Sequence, residues 1–226
     1  FPWLVFHLDY MALAASVSVL LWLFPLPSLV VFLLISALHF GASDIVDKGK
    51  DWLPWFAHGG LVCIAIPNLQ PLLVEPIFAI LVGIDNAKLL MLGISYLFIP
   101  WLLCLTGYCI YTYFKPQYRK PLSHLIILIC LASILPPLIS FSLYFCLWHS
   151  RGHMRRLWLS LAQPERNHSL FEAAIYTGMA WISAGIIFYY LQGSTSTSLV
   201  QLTFIGLAAL TLPHMLQFDY ADRKCY

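Results

Sequence analysis

Charge is what this sequence has least of. Only 10% of its 226 residues are Asp, Glu, Lys or Arg, whereas 61% are hydrophobic. Soluble domains carry about 25% charged and about 45–50% apolar residues, so a soluble globular fold is excluded and an integral membrane protein is expected. The net charge of +2 is too small, and too confined to loops, for a chain that grips nucleic acid. No CxxC pair occurs among Cys63, Cys104, Cys109, Cys130, Cys146 and Cys225, most of which lie inside apolar runs. Buried thiols are therefore expected rather than disulfides. GxSxG, a phosphate-cradling glycine loop and HExxH are missing too, which removes support from serine-hydrolase, nucleotide-driven and zinc-protease chemistry. The segment after Phe1 has no charged start followed by a cleavage site, so no signal peptide is expected.

What the chain does have is apolar length, and a crossing helix needs about 20 such residues. No charge falls between Asp9 and Asp44, which gives room for two crossings, Leu4 to Phe24 and Ser28 to Asp44, broken at Pro25 and Pro27. A third segment from Leu53 to Val82 is interrupted between Pro67 and Pro71, and a fourth runs from Leu89 to Tyr113. Pro121 to Leu159 is too long for one crossing and contains Pro136-Pro137. Phe171 to Leu191 and Leu199 to Asp219 follow, joined by a polar turn.

Charge decides how to treat Pro136-Pro137. If it is a turn, one side of the membrane receives Lys48, Lys50, Lys115, Arg119, Lys120, Arg151, Arg155, Arg156, Arg166, Arg223 and Lys224, and the other receives Lys88. If it is a kink, that asymmetry is lost. The positive-inside rule favours the turn, with basic loops and both ends cytoplasmic. The expected fold is all-α: a polytopic transmembrane helical bundle of about eight spans, one domain over residues 1–226, with no internal repeat. This topology gathers His39, His58, His149, His153 and His214 near the cytoplasmic ends of their helices, at roughly one depth. His7, His124 and His168 fall on the same side, nearer to a terminus or a charged loop.

His149 and His153 form the sharpest local signal, in Trp148-His149-Ser150-Arg151-Gly152-His153. Residues four apart share a helical face, so two imidazoles can reach one ion. Imidazole suits iron, zinc, copper or nickel, and spacing does not choose among them; the pair also fits interfacial histidines bonded to lipid head groups. His39 follows an apolar helix in Leu38-His39-Phe40-Gly41-Ala42-Ser43-Asp44, and a histidine placed there is functional by default. Gly41 lets another helix or a substrate come close. Asp44, five residues on and about 140° around an α-helix, suits a carboxylate that takes the proton of a ligand's free ring nitrogen. Asp47 and Asp51 are expected simply to solvate the helix end beside Lys48 and Lys50. His58, in Ala57-His58-Gly59-Gly60, and His214, in Thr211-Leu212-Pro213-His214-Met215, are weaker signals singly. Phe141, Tyr144, Phe145 and Trp148 suit either core packing or the wall of a greasy channel.

At these motifs the chain resembles the bacterial Blh/Brp family of β-carotene 15,15′-dioxygenases, whose pattern reads HFGxxD, AHGG, HSxxH and TxPHM in this order. The resemblance covers nearly the whole chain. It implies a membrane-embedded enzyme that uses non-haem Fe(II) and O2 to split the central double bond of β-carotene into two molecules of retinal, often for a microbial rhodopsin. It also implies iron ligands at His39, His149 and His153, with Asp44, His58 and His214 as supports, and a bacterial or archaeal cell membrane as location. The family has an earlier helix ending in PHGxxD that supplies a further histidine. Phe6-His7-Leu8-Asp9 does not fit that pattern, so this helix is expected upstream of Phe1.

Competing readings fare worse. Membrane di-iron desaturases and hydroxylases carry HxxxH and HxxHH boxes, and this chain has no HH. A transporter, or an electron carrier with bis-histidine haem, calls for histidines on facing helices near mid-bilayer, not an i, i+4 pair at one end.

Overall fold

The computed structural model describes residues 2–45, 51–190 and 194–224, and every regular element among them is helical. The chain forms two compact units, Phe1–Trp22 with Arg151–Tyr226, and Leu23–Ser150. In chain order the helices are α1 (Pro2–Leu23), α2 (Pro25–Asp44), α3 (Trp52–Gly60), α4 (Ile66–Leu69), α5 (Pro71–Val82), α6 (Ile84–Phe114), α7 (Arg119–Ile134), α8 (Pro137–Ser142), α9 (Ser150–Ser160), α10 (Gln163–Tyr190) and α11 (Thr195–Lys224). Two π-helical stretches, Leu61–Ala65 and Leu143–His149, link α3 to α4 and α8 to α9.

Proline punctuates the middle unit. Helices α2, α5 and α8 each begin on one (Pro25, Pro71, Pro137), where the missing N–H is not needed and φ is already set. Pro67 acts differently: with no N–H to give to the turn before it, the helical ladder ahead of it shifts to the π register of Leu61–Ala65. Asn68 then donates its side-chain amide to the Ile64 carbonyl at 2.8 Å and to the Ile94 carbonyl at 3.3 Å. At Gln70 the chain bends by 108°. The Gln70 side chain donates to the carbonyls of Ala132 and Leu135, both at 2.6 Å, which caps the end of α7. At Pro136-Pro137 the helix stops and restarts, with Leu135 and Pro136 extended between α7 and α8. Gly83, at φ 85° between α5 and α6, holds a backbone conformation that other residues rarely adopt.

Small residues bring α2 and α3 together. A Cβ on Gly41 would meet the Trp55 carbonyl, and one on Gly59 would meet the Ala37 carbonyl, so each helix backbone rests against the other. The core beside them holds Phe40, Leu61, Trp101, Tyr108, Tyr118, Leu125 and Tyr144. Trp101 donates its indole N–H to the Ala57 carbonyl at 3.0 Å. Asp51 does more than solvate a helix end: its Oδ2 accepts from the phenols of Tyr111 at 2.9 Å and Tyr118 at 2.8 Å. Asp47, Lys48 and Lys50 lie outside the described residues.

In the other unit, Tyr10 donates to the Leu210 carbonyl at 2.6 Å, and the Tyr176 hydroxyl meets a ring nitrogen of His7 at 2.8 Å. Large apolar side chains such as Trp181, Ile182 and Tyr190 are exposed. Cys63, Cys104, Cys109, Cys130 and Cys146 are free thiols.

By length and composition, four helices are able to cross a membrane: Pro25–Asp44, Ile84–Phe114, Glu165–Tyr190 and Thr195–Met215. The bent pair Trp52–Leu69 and Pro71–Val82 brings the number to five. The other crossings expected from hydropathy fall on shorter pieces. They are His7–Leu23, the 16-residue α7, and the segment split between α8, a π stretch and α9.

Candidate metal centre

The middle unit draws three of the sequence motifs onto one buried carboxylate. Asp44 ends α2 with its side chain only 4% exposed. Its Oδ1 lies 3.3 Å from His149 Nδ1, at the end of the π-helical stretch. Its Oδ2 accepts from the Tyr144 hydroxyl at 2.9 Å and lies 3.7 Å from His58 Nδ1 on α3. A carboxylate can only accept, so the contact with His149 puts that ring's proton on Nδ1 and leaves the Nε2 lone pair directed elsewhere. The fold makes this possible because Gly41 and Gly59 let α2 and α3 touch, which brings His58 to the carboxylate of the neighbouring helix.

His39 joins the cluster from one turn earlier on α2. Its ring meets that of His149 edge to face, centroids 5.2 Å apart. Aromatic side chains enclose His149: Phe40 at 4.8 Å, Phe145 at 5.9 Å and Tyr144 at 6.0 Å between centroids. Phe141 stacks on Phe145, while Trp148 turns to His124 at 4.2 Å. His58 is 2% exposed, lies 5.9 Å from the Tyr108 ring, and makes no hydrogen bond among the described residues.

The remaining candidates lie in the other unit. His153 is on α9, and its side chain lies outside the described residues. His214 is exposed on α11. His168 pairs with Glu172 at 3.3 Å on the surface of α10. Among the described residues, no group of three or more His, Cys, Asp or Glu side chains is arranged to hold a metal ion. The donors that are described still suit one. His149 keeps Nε2 as an acceptor, His39 lies against it, and the buried imidazole of His58 stands 3.7 Å from the same carboxylate.

The hydroxyl of Tyr144 is the functional group that sequence reading missed. Its neighbours mark an aromatic run, but α-helical spacing gives no reason for this residue and His149 to converge on one carboxylate.

The model of the family described as beta-carotene 15,15′-dioxygenase matches residues 3–220. A protein named beta-carotene 15,15′-dioxygenase, from an uncultured marine bacterium (66A03), is 34% identical over 224 residues, covering 96% of this chain and 80% of the relative. No solved structure matches the chain. With a family match spanning both units and a relative of the same name aligned over nearly the whole of this chain, the protein belongs to the β-carotene 15,15′-dioxygenase family.

Proposed function

We propose that the protein is a membrane-embedded non-haem iron dioxygenase that cleaves the central 15,15′ double bond of β-carotene. In this reaction one β-carotene and one O2 give two all-trans-retinal, the C=C bond being replaced by two C=O bonds. The observation that carries the reading is the meeting of three separate motifs: His58 and His149 stand on the buried carboxylate of Asp44, and the His39 ring lies against that of His149.

His39 and His149 are the ligands we assign from this cluster, and the HSxxH motif adds His153. When bound, Fe(II) supplies the open positions and the electrons that activate O2. The protein's own part is to hold the donors and to exclude water. Asp44 fixes the His149 ring with Nδ1 protonated, which presents Nε2 as the donor. Phe40, Tyr144 and Phe145 keep that ring in apolar surroundings and offer flat faces to a polyene. Cleavage at the middle of a symmetric chain of conjugated bonds then depends on how the substrate is held, since neighbouring double bonds have similar reactivity. β-Carotene and O2 both partition into hydrocarbon, so a site within a bundle exposed to lipid receives them from the bilayer.

For topology we retain about eight crossings, the short and broken helices included. Trp52–Leu69, at 18 residues, is about 27 Å long, close to the thickness of a hydrocarbon core of about 30 Å. It completes a crossing before the 108° bend turns α5 toward the membrane plane. Basic loops then face the cytoplasm of a bacterial or archaeal cell, with the metal site near that side and the retinal available to a microbial rhodopsin. A bis-histidine haem carrier is disfavoured by the edge-to-face contact of His39 with His149, which leaves no place for a macrocycle between the rings.

The test is expression in cells that make β-carotene, with retinal assayed beside His149→Ala and His153→Ala. Retinal from the wild type and its loss in both variants support the reading. No retinal from the wild type, or full activity in both variants, contradicts it. Activity that follows stoichiometric zinc rather than iron contradicts the choice of metal.

A further inference from the structure

We infer that the π-helical stretch Leu143–His149 is a positioning device, in which Tyr144 locks the carboxylate that orients His149. This rests on the metal-centre reading above and assigns a positioning residue that the motifs do not contain.

The geometry begins with register. In an α-helix, residues five apart stand about 140° from each other, on different faces. A π-helix closes i→i+5 hydrogen bonds, so residues five apart stack one above the other. Tyr144 and His149 are five apart within the π stretch. Their rings lie nearly parallel, 30° between planes and 6.0 Å between centroids. Both therefore face α2, and one carboxylate serves both: Asp44 takes His149 Nδ1 on Oδ1 at 3.3 Å and the Tyr144 hydroxyl on Oδ2 at 2.9 Å. In α-helical register one of the two contacts would be lost.

The second half of the inference is that the Tyr144 hydroxyl matters through Asp44. That carboxylate is 4% exposed, and Tyr144 is 1% exposed. The phenol is a short, well-placed donor, whereas the His58 contact on the same oxygen is long at 3.7 Å. Without the hydroxyl, the partner left to Oδ2 among the described residues is the distant imidazole, and the carboxylate is free to rotate away from His149. The ring then loses the partner that fixes both its tautomer and its angle. Burial alone would be served equally well by phenylalanine at 144.

The matched control is Tyr118→Phe, which deletes another buried phenol that donates to a carboxylate, Asp51, apart from the cluster. Wild type, Tyr144→Phe and Tyr118→Phe are purified in detergent and titrated with Co(II), whose visible absorption reports binding. Tyr144→Phe should weaken Co(II) binding about 10-fold or more, the loss typical of a partner that orients a metal ligand. Tyr118→Phe should bind as the wild type does. Equal affinity in Tyr144→Phe and wild type, or equal losses in the two variants, overturns the inference while leaving the metal centre standing. A wild-type protein that binds no Co(II) overturns the metal-centre reading and this inference together. Should Tyr144→Phe fail to fold, 15N-histidine NMR of the Zn(II)-loaded wild type decides. A proton on His149 Nδ1 supports the inference, and a proton on Nε2 overturns it.

Discussion

Asp44 Oδ1 lies 3.3 Å from His149 Nδ1, joining the end of α2 to a residue more than a hundred positions later in the chain. Asp44→Asn tests what this contact does. The amide keeps the shape but can no longer accept on both oxygens, so either Tyr144 or His149 loses its acceptor. Metal affinity should fall about 10–100-fold, and kcat should fall with KM little changed, because the buried carboxylate meets the side chains of His149 and Tyr144 and acts through them. Metal titration and steady-state kinetics check both expectations.

His58 offers a sharper separation of stability from function. Among the described residues this buried imidazole makes no hydrogen bond, and the Asp44 carboxylate is a distant 3.7 Å from its Nδ1, so the side chain contributes little to folding. His58→Leu should therefore leave thermal stability within about 1 kcal/mol of wild type, or raise it, while metal binding and retinal formation decline. Unfolding curves and metal content, measured on one preparation, check this. A variant that unfolds but binds metal normally when folded would make His58 a packing residue only.

The contact of α2 with α3 is tested by adding one methyl group. Gly41→Ala and Gly59→Ala each press a Cβ onto a backbone carbonyl that has no rotamer to escape into. Each should cost about 1–3 kcal/mol, as overpacking does. Gly93→Ala, on α6 with nothing near its added Cβ, should be neutral or stabilising by up to about 1 kcal/mol. Denaturation in detergent ranks the three.

An all-helical fold with helices long and apolar enough to cross a membrane was readable from composition and hydropathy, and the motif histidines stood out because polar groups are rare in apolar helices. Asp44 was legible as a partner for an imidazole by its place after His39. Tyr144 was not, since the π register changes which residues share a face, and that change depends on local backbone bonds the sequence does not display. The phenol partners of Asp51 at the start of α3 were not legible, because Tyr111 and Tyr118 lie 60 and 67 positions away. Span counting was blunted by prolines, which cut crossings into pieces below the usual length.

The Asp51 clamp has a pH signature at both extremes. The Tyr118 and Tyr111 phenols hold the Asp51 carboxyl below its ordinary value. Its contribution to stability is therefore present above about pH 4 and is lost as pH falls through the lowered folded value. Tyr118, through burial and its bond to Asp51, has its phenol pushed up to about 12. That contribution is present below about pH 10 and is lost as pH rises toward the folded value. Asp51→Asn should abolish the acid limb of a stability profile measured by unfolding across pH and shrink the alkaline limb only in part, since burial still raises Tyr118.

The most direct test of central cleavage is product stoichiometry. Purified, Fe(II)-loaded protein is given β-carotene and O2, and aldehydes are separated and counted against carotene consumed. Two retinal for each β-carotene, with no longer or shorter apocarotenals and no turnover after iron is chelated, is the predicted result. Unequal aldehydes from an off-centre bond, or retinal formed undiminished without iron, would contradict it.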